Sequence, residues 1–297
     1  MSFPAHHPFR SAEAKARYLA LYAQREARWP VPWEPRTVET SFGSTFVRVC
    51  GPVDAPPLVL LHGAATSGLM WEHNIRALAA RHRAYVIDNV YDHGRSVYAR
   101  PVKTVGEFAA WLDEVFAGLG LDEARFVGLS YGAWIGARFL MDFPRRVTRA
   151  VLVAPAAGVA RLRLRWILFA LAVPLAGWIA RAFYDWMMGD AMRAGEEGRR
   201  AVDELMADTL VANQCYQPKM GPFPSRYADA ELRSIRPPTA VVMGENEKLY
   251  DPLAARDRLA RVAPQIQTMI LPRCGHDLIV AQRELFETTV LEFLAEP

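Results

Sequence analysis

The sequence predicts an α/β protein: a mostly parallel, eight-stranded sheet flanked by helices, with an inserted helical cap. Three observations carry this. Short β-rich runs alternate with amphipathic stretches, the order that builds parallel sheets. Most of those runs are apolar nearly throughout, as strands covered on both faces are. The alternation then stops between Ala157 and Pro237, where Trp, Met and Leu abound and no β-run occurs.

Each element follows from its residues. Positions 1–36 read as an N-terminal helical extension. The runs TVETSF and TFVRVCG flank Gly43-Ser44 and predict an antiparallel hairpin. Six further strands are expected: Pro57 to Gly63, Ala84 to Val90, Arg125 to Ser130, Arg149 to Pro155, Thr239 to Gly244 and Gln267 to Pro272. Helical periodicity separates them over Gly68–Arg81, Val105–Leu119, Tyr131–Phe143, Asp251–Val262 and Ile279–Leu294. The core therefore comprises 37–156 and 238–297, and 157–237 forms the cap. An insertion after a strand's C-terminal end is placed to roof a ligand site, because such sheets bind ligands there.

Composition narrows the function. A net charge of +3 over 297 residues, carried mostly by dispersed arginine, gives no footprint for nucleic acid. The small basic group RLRLRW, Arg161 to Trp166, reads as a solvated face. Three distant cysteines, Cys50, Cys215 and Cys274, have no metal-ligand spacing and form no disulfide framework, as in a reducing, cytoplasmic setting. Charges at the N-terminus interrupt what a signal peptide would keep apolar. The run WILFALAVPLAGWIA, Trp166 to Ala180, is shorter than the ~20 residues a spanning helix needs and contains Pro174. It reads as a buried or lid helix, so no stable membrane insertion is expected. Dinucleotide, P-loop and zinc-protease motifs are missing from the sequence.

The segment RFVGLSYGAW, Arg125 to Trp134, places Ser130 between Gly128 and Gly132 where an apolar strand meets a helix. A tight strand-to-helix turn forces the central residue into a strained backbone and lifts its hydroxyl clear of the sheet. The flanking positions must be small because strand and helix nearly touch. Serine is a weak nucleophile without an adjacent base, and that base needs an orienting carboxylate. His276 follows the last apolar strand. Glu245, Glu247 and Asp251 follow the strand before it, giving the order Ser, acid, His.

Taken together, LLHGAA (Leu60 to Ala65), GLSYG and GENE…CGHDL make the chain resemble the α/β-hydrolase superfamily from about Thr37 onward. The resemblance implies an oxyanion hole formed by the backbone N–H groups of Ala64 and Tyr131, with His62 structural. It also implies that the acid is Glu247, at the position where relatives usually carry aspartate, with Asp251 the alternative and Glu245 supporting the turn. DNVYDHGRS, Asp88 to Ser96, resembles the family's loop of glycines around a histidine, except that Asp92 replaces a glycine. Asp88, His93 and Ser96 are expected to form turns, and Cys274 to be structural.

A serine nucleophile on this fold implies hydrolysis of a small-molecule ester through an acyl-enzyme, with no metal or organic cofactor. C–C bond or lactone hydrolysis by the same triad, or a ligand-binding receptor on the same fold, are the alternatives. Trp71, Trp166, Phe183 and Trp186 are the candidate pocket residues, and the apolar cap implies a substrate with a hydrophobic body. Whether the chain forms a homodimer is left open.

Overall fold

The structure, a computed structural model, describes residues 3–172 and 177–296. Nine strands occur among them: β1 (Trp33–Thr40), β2 (Gly43–Cys50), β3 (Pro57–Leu61), β4 (Arg83–Ile87), β5 (Val97–Tyr98), β6 (Ala124–Leu129), β7 (Val147–Val153), β8 (Thr239–Gly244) and β9 (Ile266–Leu271). They form one sheet in the order β1-β2-β4-β3-β6-β7-β8-β9, with the two-residue β5 pairing beside β2. The β1–β2 hairpin and the β2–β4 pairing are antiparallel, and all pairings from β4 to β9 are parallel.

The sheet begins earlier than its sequence suggests. Pro35 lies inside β1, opposite Arg48. Proline cannot donate to a central ladder, but β1 is an edge strand, where its missing N–H does no harm. The ninth strand, β5, is too short to carry a sequence signal.

Residues along each parallel strand alternate between two cores. Val59, Leu61, Leu152, Val241 and Met243 face α3 (Val105–Gly118), α4 (Tyr131–Asp142) and α10 (Pro252–Val262). Leu58, Leu60, Val151, Ala240 and Val242 face α1 (Ala12–Glu26), α2 (Ile75–Ala79) and α12 (Arg283–Ala295). Both strand faces are thus buried, which is why these strands read as unbroken apolar runs. Two helices predicted as single pieces are divided. The first breaks at Asn74, whose side-chain amide donates to the Ile279 carbonyl and Glu287. The last breaks at Gln282, separating α11 (Leu278–Ala281) from α12.

The insertion contains α5 (Leu164–Ala172), α6 (Gly177–Met187), α7 (Gly189–Arg193), α8 (Glu196–Cys215) and α9 (Asp229–Arg233). Pro174, within the apolar run, lies outside the described residues. The expectation of helix throughout fails between α8 and α9. Pro218, Gly221, Pro222 and Pro224 interrupt helical hydrogen bonding there, and the chain has no regular structure.

Candidate active site

Four strand ends converge on one edge of the sheet: β3 leads into His62–Ala65, β6 into Ser130, β8 into Glu247 and β9 into His276. At Ser130 the backbone takes φ 54° and ψ −110°, outside the regions that L-residues favour. Three backbone hydrogen bonds hold it there. Its N–H donates to Val153, and its carbonyl accepts from Trp134 and Ala156. The flanking glycines are required sterically. A Cβ on Gly132 would lie 2.4 Å from the Leu61 carbonyl oxygen, and one on Gly128 2.5 Å from that of Gly132.

The imidazole of His276 bridges the other two residues. Its Nε2 lies 2.9 Å from Ser130 Oγ, and its Nδ1 lies 3.0 Å from Glu247 Oε2. An ionised carboxylate only accepts, so Nδ1 carries the proton and Nε2 is free to take one from the serine. Burial disfavours the charged imidazolium, but the charge and hydrogen bond of Glu247, with Asp277 adding to them, outweigh it. The net effect raises His276 above its ordinary value of 6.5.

Glu247 is itself fixed. Its Oε1 accepts the N–H groups of Lys248 and Leu249 at 2.7 and 2.9 Å, leaving Oε2 for the histidine. The acid and histidine loops lie back to back. A Cβ on Gly244 would sit 2.3 Å from the Gly275 carbonyl oxygen. Asp251 instead caps α10, accepting from Leu253 and Ala254, and Glu245 accepts the Arg273 N–H at 3.0 Å.

The turn after β3 passes close to the serine. A Cβ on Gly63 would be 3.4 Å from Ser130 Cβ, and Ala64 opens into the same cavity as Ser130. Tyr131 is the first residue of α4, so its N–H belongs to the helix's unpaired first turn. Its hydroxyl turns aside to donate to the Pro222 carbonyl at 2.8 Å. His62 is buried, bridging the Gly63 carbonyl and the Asn89 N–H.

In the following loop, Asp88 accepts from the Tyr22 hydroxyl and from the N–H groups of Gly68 and Arg95. Ser96 Oγ donates to the Asp88 carbonyl and accepts from Phe46. Asp92 accepts the N–H of Ala65, a residue held at φ 58° beside the candidate oxyanion donor. His93 is buried and lines the cavity, and burial holds its pKa below the ordinary value. Cys274 is buried, and burial pushes its thiol up to about 12, which suits a structural residue.

A cavity of about 330 Å³ opens above Ser130 and His276. Trp166 and Phe183 line it, but Trp71 and Trp186 do not. Trp71 points inward and is wholly buried in the core beside α2. Trp186 packs against Phe169 and Phe183, with the Arg165 guanidinium over its ring. A contribution not expected from sequence comes from α1, which supplies Tyr18, Leu21, Tyr22 and Arg25 to the wall. Their spacing marks one helical face, the only signal available, since sequence does not say what that face meets.

The inserted helices are tied to the loops that carry Glu247 and His276. Asp277, next to His276, accepts the Ala191 N–H of α7 at 2.6 Å. Asn246, next to Glu247, donates to Asp190, and Arg163 donates to the Glu247 carbonyl. Helix α1 closes the far side, where Arg25 pairs with Glu204 and Asp208 of α8, and Arg28 with Glu204.

Residues 58–288 match the alpha/beta hydrolase family. Carboxylesterase YbfK of Bacillus subtilis (strain 168) is 33% identical over 96% of this chain and 96% of its own. The uncharacterized carboxylesterase nap of the same organism is 31% identical over 93% of this chain and 92% of its own. The crystal structure of a naproxen esterase (carboxylesterase NP) from Bacillus subtilis superposes with a TM-score of 0.87 at 32% identity, covering 96% of this chain and 99% of that one. With the strand order, the glycine-flanked serine turn and these likenesses in agreement, the chain belongs to the alpha/beta hydrolase family.

Proposed function

We propose that the protein is a serine carboxylesterase acting on small to medium esters with a hydrophobic body. The observation that carries this is the continuous hydrogen-bonded chain Ser130–His276–Glu247, at 2.9 and 3.0 Å. Ser130 Oγ attacks the ester carbonyl while His276 Nε2 takes its proton. Glu247 holds the ring in the required tautomer and stabilises the imidazolium. The N–H groups of Ala64 and Tyr131 receive the developing oxyanion, where losing one such donor typically costs ~10²–10³ in rate. His276 then protonates the departing alcohol, and water attacks the acyl-enzyme with His276 again as base.

Likeness to two carboxylesterases supports an ester over a C–C bond or a lactone as the substrate of this triad. Around Ser130 the wall is apolar, with Leu129, Trp166, Phe183, Met187 and Leu249, which supports an apolar acyl or alcohol group. The test is labelling by a fluorophosphonate and hydrolysis of p-nitrophenyl esters. Wild type is expected to be labelled at Ser130 and Ser130→Ala to lose turnover while keeping its thermal midpoint. Labelling at another residue, or activity surviving in the purified variant, overturns the reading.

A further inference from the structure

Helix α5 and the start of α6 present an apolar outer surface. Leu164, Leu168 and Leu171 recur at helical spacing and share one face of α5, where they are 67%, 59% and 66% exposed; Trp178 on α6 is 74% exposed. The inner side of the same helices is already partnered. Trp166 and Phe183 line the cavity, and Phe169 packs against Phe183 and Trp186. A helix of this kind normally turns charge toward water, so apolar residues on both sides mark a surface that binds something.

Charge says what kind of surface. Arg161, Arg163 and Arg165 are exposed at the entrance to α5. Among the described residues no carboxylate forms an ion pair with any of the three, whereas Arg181 on α6 is paired with Asp185 and Asp203. Arg163 donates to the Glu247 carbonyl and Arg165 lies over the Trp186 ring, so their charges stay unneutralised by any carboxylate; leucines and a tryptophan edged by such arginines match the composition of helices that lie in the headgroup layer of anionic membranes. With nine residues, α5 is too short to cross a bilayer, and among the described residues no helix is long and apolar enough to do so. A second copy is the poorer fit, because residues 161–172 carry three arginines and no carboxylate to pair with them.

We propose that the outer face of α5 and α6 docks on an anionic lipid bilayer, lying in its surface without spanning it. The roof of the cavity would then rest on the lipid, with Trp166 and Phe183 on its inner side. This inference does not depend on ester hydrolysis, because binding is measured without turnover.

The experiment is flotation of the intact protein with vesicles of phosphatidylcholine alone, or of phosphatidylcholine mixed equally with phosphatidylglycerol. Binding to the mixed vesicles is expected to exceed binding to phosphatidylcholine by about tenfold or more at low salt, and to weaken as salt is added. Leu168→Ser combined with Trp178→Ser is expected to abolish flotation while leaving the thermal midpoint and turnover of a dissolved short-chain ester unchanged. Arg161→Glu is expected to reduce the preference for the anionic vesicles. Equal flotation with both vesicles, or undiminished flotation of the Leu168/Trp178 variant, overturns the proposal. So does a dimer, seen by sedimentation, that this variant dissociates.

Discussion

Ser130 sits at φ 54°, in the left-handed half of backbone space that favours glycine. Strain of this kind costs about 1–3 kcal/mol, whereas glycine's extra freedom in the unfolded chain costs about 0.4–1 kcal/mol. Relief of strain wins, so Ser130→Gly is expected to exceed Ser130→Ala in stability by about 1 kcal/mol, measured by urea unfolding of both inactive proteins. The carboxylate gives a second expectation. Glu247→Gln keeps the shape but loses the charge, and kcat is expected to fall by roughly 10³–10⁴ with little change in KM. Any residual activity carries a pH signature. In the proposed mechanism neutral His276 is the base, so kcat/KM is expected to rise with pH through the histidine's pKa, which Glu247 holds above 6.5. Without that carboxylate, burial dominates, and the rising limb is expected to move to lower pH. At this scale the juxtaposition of Ser130, Glu247 and His276 was legible because each follows a strand end that sequence can locate. Trp71 and Trp186 were misplaced because an aromatic residue in an apolar helix gives no sign of which neighbour its ring will meet.

At the scale of elements, the contact between α1 and α8 is the one that sequence conceals. Periodicity identifies α1 as a helix but is silent on its destination, because nothing in the residues before a sheet says they fold over its far edge. The irregular stretch after α8 is marked only by its prolines, within a segment whose overall composition is helical. Arg25 is the centre of the α1–α8 contact, and it is largely buried between Glu204 and Asp208. Removing it leaves two carboxylates facing each other across a partly buried gap. Arg25→Gln is expected to cost about 1–3 kcal/mol in thermal or urea unfolding, the lower part of that range if water fills the space. The same variant alters the cavity wall, so KM for bulky esters is expected to rise more than KM for acetate esters. Equal changes for both would show that Arg25 acts on stability alone.

Across the whole molecule, the strand ends position the proposed reacting groups and a separate set of helices encloses the volume above them. The parallel strands could be read from apolar runs, because burial on two faces leaves little latitude in residue choice, whereas their order across the sheet could not. Cap packing could not, since helices that touch a cavity are selected for what enters it. The size of that cavity gives a global expectation. If each added acyl methylene is buried, it contributes about 0.8 kcal/mol, or about fourfold in kcat/KM. Activity on p-nitrophenyl esters is therefore expected to climb from acetate toward medium chains and to level where the cavity of about 330 Å³ is filled. A flat profile from the start would place the acyl group outside the cavity.

The wall formed by Tyr18, Tyr22 and Arg25 also bears on how this scaffold can be re-engineered. Exchanging residues 157–237 for the matching segment of another hydrolase would be an obvious way to change specificity. Such a chimera would inherit a new α8 but retain an α1 shaped for the old one, with Arg25 and Arg28 facing strangers. The transferable unit is therefore discontinuous: the first thirty or so residues have to travel with the insertion, and a library that randomises one without the other samples mostly broken seams.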